Sequence, residues 1–428
     1  MRELRIFPAL TKDILEKDLY SLNTVFIVSL LKAYVKLTRY NCFYRIQIDM
    51  KIGIDARFYG EAGPGRYVKN IIEHLEKLDK ENTYYIYLRK KGYSKYTTSN
   101  KNFIKILADV PWYSWYEQIV FLWYVLKSGL DLLYVPHFNI PVLYPFHIVT
   151  AIPDIIMHTY STEKGTTLPK PYFKFKKLVY RVVLTWALIK SKFVIVPSND
   201  VKDDMLKHYP YLNDSKFILA YEGVDPVFAL DESSTVDLTK FGIYEKYLLY
   251  ISSMYEHKNV KRLIDAYDKL VNNYGYKGQL VLIGKKDKFS DDIQSYVESR
   301  NLKSKVIMPG HIRYVEDHEL NFIRNNADLY VFPSLKEGFS LTPLEAQYVG
   351  LPCVISDIPC HREVFGESVQ YFDPLSVDDM AAKIYEVLVD NNKWSRLREL
   401  GYAQVKKYDW LKTAEITLNV FRDVLQGK

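Results

Sequence analysis

Two glutamates stand eight residues apart in the run EGFSLTPLE, Glu337 and Glu345, on either side of a glycine-containing turn. An apolar run ends just before them at Phe332, and Pro343 suits a first helical turn, where a missing N–H costs nothing. This order predicts a strand, a turn and a helix opening near Thr342 or Pro343. The backbone N–H groups of Ser340, Leu341 and Thr342 would then sit at a positive helix end, a place for an anion. A carboxylate at Glu345 could accept two hydrogen bonds from a ribose diol, and one at Glu337 could bind sugar hydroxyls beside the phosphate. The same pair also reads as a helix cap and a solvated charge, but the strand, the Gly-Phe pair and the proline favour a ligand. Gly63 and Gly65, in EAGPGRY, let backbone approach a ligand or take positive φ. They equally fit a lone tight turn, and the spacing is not that of a dinucleotide fingerprint. Arg66 comes directly after them, able to reach a phosphate or an acceptor, or simply to start a helix at the surface.

Such residues need a scaffold of strands with loops at one end. From Met50 the text reads MKIGIDARFYG, with Ile52, Ile54 and Ala56 alternating before a turn, as a buried first strand does. Val68, Ile71, Ile72, Leu75 and Leu78 then mark one helical face. Strands are expected at 84–88, 131–135, 147–152 and 193–197. An Asp/Ser/Thr-rich segment at 228–239 precedes a fresh series at 247–252, 279–284, 306–308, 329–332 and 352–356. Alternating strands and helices indicate an α/β architecture with parallel sheets, and each half, about 180 residues, is a comfortable domain. Two doubly wound domains facing a cleft is the simplest arrangement.

Composition narrows the class. Of 428 residues, 48% are hydrophobic and 25% charged, which is globular, and the net charge of +7 is too small to indicate a nucleic-acid binder. Three cysteines (Cys42, Cys353, Cys360) make no disulfide framework, so a reducing cytoplasm is expected. No CxxC, HExxH or Asp-x-Asp supports a metal site. The longest apolar run, Val25–Leu31, is well short of the roughly 18–20 residues of a membrane span. Residues 1–49 lack the strand-and-turn grammar of the rest of the chain. They read as an extension outside the functional core or as a helix lying on the domain or on a membrane, although alternation through Ile46 and Ile48 into Met50 suggests a strand crossing that boundary.

Taken together, EGFSLTPLE resembles the E-x7-E signature of the retaining glycosyltransferases of family 4. Further segments agree with that family in order: YISSMYEHKNVKRLIDAY (250–267), LVLIG (280–284), MPGHI (308–312), ADLYVFPS (327–334) and GLPCVISDIPCHREVFG (350–366). In the first half, IGIDARFYGEAGPGRYVKNIIEHL, the stretch 115–141, PSNDVKDDML (197–206) and YEGVDPVF (221–228) fit the pattern. The resemblance covers nearly all of 50–428.

It implies a GT-B fold: an acceptor-side Rossmann-like domain at 50–228, a nucleotide-sugar domain at 240–408 and a final helix at 409–428 packing back on the first domain. It implies His137, Lys258 and Glu337 as catalytic residues, with Lys258 neutralising the departing diphosphate and Glu337 positioning the sugar rather than attacking it. Donor contacts would come from Gly63, Gly65, His257, Lys258, Gly310, Gly338, Phe339, Ser340, Leu341, Thr342 and Glu345, and acceptor contacts from Arg66 and Asp154. His137 and Lys258 also read as a structural histidine and a solvated lysine. Two departures stand out: Pro153 where the family usually has His, and His257 where Arg often precedes the lysine. A titrating His257 would make donor affinity fall as pH rises.

The implied reaction transfers a sugar from GDP-mannose or a UDP-sugar, without a metal, to a glycan or polyprenyl-linked acceptor in surface polysaccharide synthesis. A nucleotide-sugar epimerase and a silent sugar-nucleotide-binding protein are the alternatives. Between Lys164 and Asn199, eight basic residues and interleaved aromatics occur without an acid. That pattern reads as a contact with an anionic membrane through 164–192, on its cytoplasmic face, or as a core helix with a solvated basic side.

Overall fold

The computed structural model describes residues 49–61, 63–160, 170–225 and 236–427. The proposed extension up to residue 48, Lys164 and most of the segment 228–239 therefore lie outside the described residues.

Strand β1 (Lys51–Asp55) forms where sequence alternation places it, with Ile52 and Ile54 fully enclosed. It is followed by β2 (Thr83–Leu88), β3 (Phe103–Leu107), β4 (Leu132–Val135), β5 (His147–Ala151), β6 (Phe193–Val196) and β7 (Phe217–Leu219). These pair in the order β3-β2-β1-β4-β5-β6-β7, all parallel where register is defined. A second sheet holds β8 (Tyr247–Ile251), β9 (Gln279–Ile283), β10 (Val306–Ile307), β11 (Leu329–Phe332), β12 (Cys353–Ser356) and β13 (Gln370–Phe372). Its order is β10-β9-β8-β11-β12-β13, again parallel. Continuous apolar strands such as YLLYI and QLVLI are buried on both faces, as parallel sheets require.

The order reverses between β1 and β4 in one sheet and between β8 and β11 in the other. Open parallel sheets leave a crevice at such a switch point, outside the carboxyl ends of the strands. The helix Trp410–Leu425 leaves the second domain and packs on Pro64–Leu78, burying Trp410, Ala414, Leu418 and Phe421 in the core of the first. Among the described residues, no helix is long and apolar enough to cross a membrane.

Candidate active site

Both switch points open onto one cavity of about 230 Å3. From the first domain it is lined by Gly63, Pro64 and Tyr67 after β1, by Pro153 and Asp154 after β5, and by Glu222 after β7. From the second come Ser252 and Lys258 after β8 and the run 337–342 after β11. A larger hollow, about 520 Å3, lies beside β13. Its lining carries Asp357, Glu367, Asp373 and Asp379 against the single cation Arg362, so its field repels a diphosphate.

The loop after β8 is stitched to the loop after β11. Asn259, left-handed at φ 60°, caps the next helix and donates through Nδ2 to the carbonyls of Pro333 (3.0 Å) and Pro374 (2.8 Å). The Leu335 N–H donates to the His257 carbonyl at 2.8 Å. These bonds bring Lys258 Nζ within 2.6 Å of Glu337 Oε1, with side chains 12% and 9% exposed. Burial pushes the Glu337 carboxyl up, but the Lys258 ammonium overrides it and holds the group below the usual range. An ammonium and an ionised carboxylate thus share one wall of the cavity.

The helix Leu341–Tyr348 opens beside them, and its first N–H groups have no carbonyl in a preceding turn to bond. Its cap, Ser340, is a non-glycine residue at φ 77°. The Ser356 carbonyl lies 2.8 Å from His361 Nδ1 and can only accept, so Nδ1 carries the proton. Nε2 therefore accepts from the Ser340 hydroxyl at 2.9 Å, which pins the strained cap. Burial of His361 drives its pKa down to about 4, keeping this tautomer neutral.

Gly338 is a point of close approach between the domains. A Cβ there would stand 2.0 Å from the Pro153 carbonyl oxygen, and the Gly338 carbonyl accepts from Ser198 Oγ at 2.7 Å. Pro153, the departure noted in the sequence, thus forms part of the domain contact. Nearby, Glu363 accepts from the N–H groups of Asn199 (2.8 Å) and Asp200 (3.1 Å), and Lys336 pairs with Asp200 (2.8 Å) and Asp204 (2.9 Å).

On the opposite side of the cleft, His137 comes after β4 and is 8% exposed. Its Nδ1 accepts from the Asn139 N–H at 3.3 Å, so Nε2 donates to the Tyr113 hydroxyl at 3.2 Å. Burial lowers its pKa to about 4, with Asp55 and Arg57 acting in opposite directions. The ring is neutral and sits behind Pro136, beside the cavity rather than on its wall. Beneath it, Arg57 bonds Asp55 (2.7 Å) and Glu117, and Asn139 bonds the other Glu117 oxygen. Asp154 is half-buried, with its pKa raised by desolvation.

Several expectations change. Glu345, expected as an open acceptor for a diol, is 2% exposed and both its oxygens are taken, by Arg66 and by Arg324 at 2.9 Å. Arg66 accordingly forms an ion pair between the domains. His257 packs 6.0 Å from the rings of both Tyr160 and Tyr255. Burial and Lys258 hold its pKa down at about 4, so it stays neutral from pH 5.5 to 8 and supplies no titrating phosphate contact. Gly310 does not reach the cavity; a Cβ there would meet the Gly284 carbonyl at 2.8 Å, so it serves the packing of two strand ends. Gly65 likewise tightens the turn against the Phe58 carbonyl, while Gly63 (φ 64°) does line the cavity. Phe339 lines it too but is 3% exposed and packs on Tyr221 and Tyr408.

Sequence reasoning missed Glu222, Arg324, Tyr113 and the Asp55–Arg57–Glu117 network. Glu222 lies inside YEGVDPVF, where an acid just past an apolar strand was the available signal. It is 8% exposed, and burial, opposed by Arg66, pushes its pKa up to about 7.

Comparison with known proteins fits this geometry. Residues 239–404 match the family "Glycosyl transferases group 1". The chain is 31% identical over 179 residues to O-antigen chain mannosyltransferase B of Escherichia coli, covering 42% of this chain and 46% of that protein. It thus spans about half the length of this relative. It is 26% identical over 293 residues to O-antigen chain mannosyltransferase RfbU of Salmonella typhimurium, covering 67% and 74%. Among solved structures, Anabaena Alr3699/HepE in complex with UDP and glucose superposes with a TM-score of 0.66 at 14% identity, covering 87% of this chain and all of that one. Two parallel Rossmann-like domains around a shared cleft therefore give this chain the GT-B fold, and its second domain, over residues 239–404, is similar to the group 1 glycosyltransferases.

Proposed function

We propose that the chain is a retaining glycosyltransferase of the family 4 type that takes a sugar from a nucleoside diphosphate sugar without a metal. The observation that carries this reading is the single cavity shared by Lys258, Glu337 and the amino end of Leu341–Tyr348, facing Asp154 of the other domain. A departing diphosphate gains negative charge, and a preorganised ammonium with unbonded helix N–H groups stabilises that charge more than the ground state. Lys258 exchanges its Glu337 partner for a phosphate oxygen, and Glu337, kept ionised, accepts hydroxyl hydrogens of the sugar. In a same-face transfer the leaving oxygen takes the acceptor's proton, so Glu337 positions and does not attack. Neutral His137 offers no second cation to the sugar.

The names of the O-antigen mannosyltransferase relatives support mannose as the sugar and surface polysaccharide as the product; the donor in this reading is GDP-mannose, with UDP-sugars the alternative, and the acceptor a glycan or a lipid-linked glycan. The enzyme would then work at the cytoplasmic face of the membrane.

The test is nucleoside diphosphate release by purified protein across a donor panel, with and without chelator. Turnover of one donor that survives chelation is expected, and Lys258→Ala should lower it about 10²-fold. Product epimers formed without acceptor, an absolute requirement for a divalent ion, or an unchanged rate in the variant would each overturn part of this reading.

A further inference from the structure

Outside the cleft, the least expected surface is a ridge of uncovered aromatic and aliphatic side chains. Trp115, Ile119 and Trp123 recur every fourth residue from just before the π-type turn Glu117–Phe121 into the helix Leu122–Lys127, and they are 70%, 72% and 54% exposed. Tyr116 (56%) stands with them, while Phe121 and Val125 on the other side are sealed in the core. Soluble monomers seldom leave so much contiguous apolar surface uncovered.

The ridge continues into a second element. Gln118 bonds both the Ile140 carbonyl and the Val142 N–H, and Trp186 and Lys190 of the helix Lys170–Lys190 reach the carbonyls of Val142 and Pro145. Exposed Leu143 and Phe146 lie on that intervening loop, and Phe175 and Leu178 on the helix. Across 111–130, 139–150 and 170–192 the only acid is Glu117, which is 1% exposed and paired with Arg57. The bases Lys127, Lys174, Lys176, Arg181 and Lys192 are on the outside.

We propose that this ridge and the basic helix form one docking face for a bilayer bearing anionic headgroups, with Trp115, Ile119 and Trp123 inserted among the lipids. Aromatics beside lysines suit the interfacial zone, where rings straddle the apolar boundary and cations meet anionic lipid. Aliphatic side chains in the face favour lipid over nucleic acid, since they have nothing to stack on. The ridge is rooted at the cleft: Trp112 stacks on Phe58 at 4.3 Å, and Tyr113 bonds His137. Insertion would bring the acceptor wall of the cavity to the membrane, so the acceptor is a sugar carried on lipid. This last step rests on the transferase reading; the docking face does not.

The experiment is flotation of the full chain with vesicles of phosphatidylcholine alone or of an equimolar mixture with phosphatidylglycerol, alongside donor hydrolysis in solution. Wild type should float with the mixed vesicles. The triple substitution Trp115→Ser, Ile119→Ser, Trp123→Ser should weaken that about tenfold or more, with hydrolysis and thermal unfolding unchanged. Lys174→Ala with Lys176→Ala and Arg181→Ala should abolish the preference for the anionic vesicles. Absence of wild-type binding, full binding by the triple variant, or displacement from vesicles by an oligonucleotide would overturn the docking face. Vesicle binding by a chain that turns over no donor would support the docking face and sink the transferase reading.

Discussion

Two carboxylates line the same cavity and behave in opposite ways. Burial pushes both toward the neutral form. At Glu337 a lysine 2.6 Å away more than offsets this and keeps the group ionised. At Glu222 only Arg66 opposes burial, Asp154 adds to it, and the pKa rises to about 7. The contrast extends to the two walls. The second domain presents mobile charge chemistry, a cation and helix N–H groups that can change partners. Behind the wall of the first, neutral His137 sits over a buried Asp55–Arg57–Glu117 network. One wall is arranged to respond to a ligand, and the other to hold its shape.

Substitutions can test that division. The largest effect is expected from Glu117→Ala, which leaves Arg57 with Asp55 alone and strips Asn139 Nδ2 and the Tyr113 N–H of their acceptor; it should cost about 3–5 kcal/mol in urea unfolding. A cost near zero would mean the first wall is not built on this network. Next comes Lys258→Ala, which should depress turnover about 10²-fold and also lower the unfolding midpoint, because Glu337 loses the ammonium that offsets its burial.

A smaller effect concerns pH. Glu222 is easier to protonate folded than unfolded, so its contribution is present below about pH 4.5 and lost as pH rises through about 7. Glu222→Gln should therefore gain about 2 kcal/mol relative to wild type between pH 5 and 8, read from paired denaturation curves. The buried histidines set the opposite limb. His137 and His361 favour the neutral form, so stability falls as pH drops from about 6.5 toward 4. The smallest change is Tyr113→Phe, which removes one hydroxyl partner of His137 and should cost about 0.5–1.5 kcal/mol; a larger loss would make the first wall more brittle than its bonding implies.

The same contrast explains which parts of the molecule are legible in the sequence. The chemistry of the second domain is packed into the nine residues 337–345 and one lysine, so strand, turn, proline and acid can be read as a unit. The first wall gathers single residues from the ends of β1, β4, β5 and β7, which no local pattern links. The Arg66–Glu345 pair, 279 residues apart, exists only in the fold. Burial is also invisible: nothing in EHKN shows that His257 lies among rings beside a cation. Strands β3, β7 and β13 escape a periodicity reading, and all three are sheet edges. Two of them have only three residues, too few for periodicity, and β3 is half exposed. The aromatic ridge at 115–123 looks like compositional bias in the sequence because its outward direction depends on the π-type turn at Glu117–Phe121.

Position 338 has a consequence of its own. Because even a methyl group there would collide with the Pro153 carbonyl, the bulk of this one residue works as a shim between the lobes. Alanine, valine and leucine at 338 would prop the jaws progressively wider, giving a graded ruler of aperture against which X-ray scattering profiles and nucleotide escape rates can be plotted.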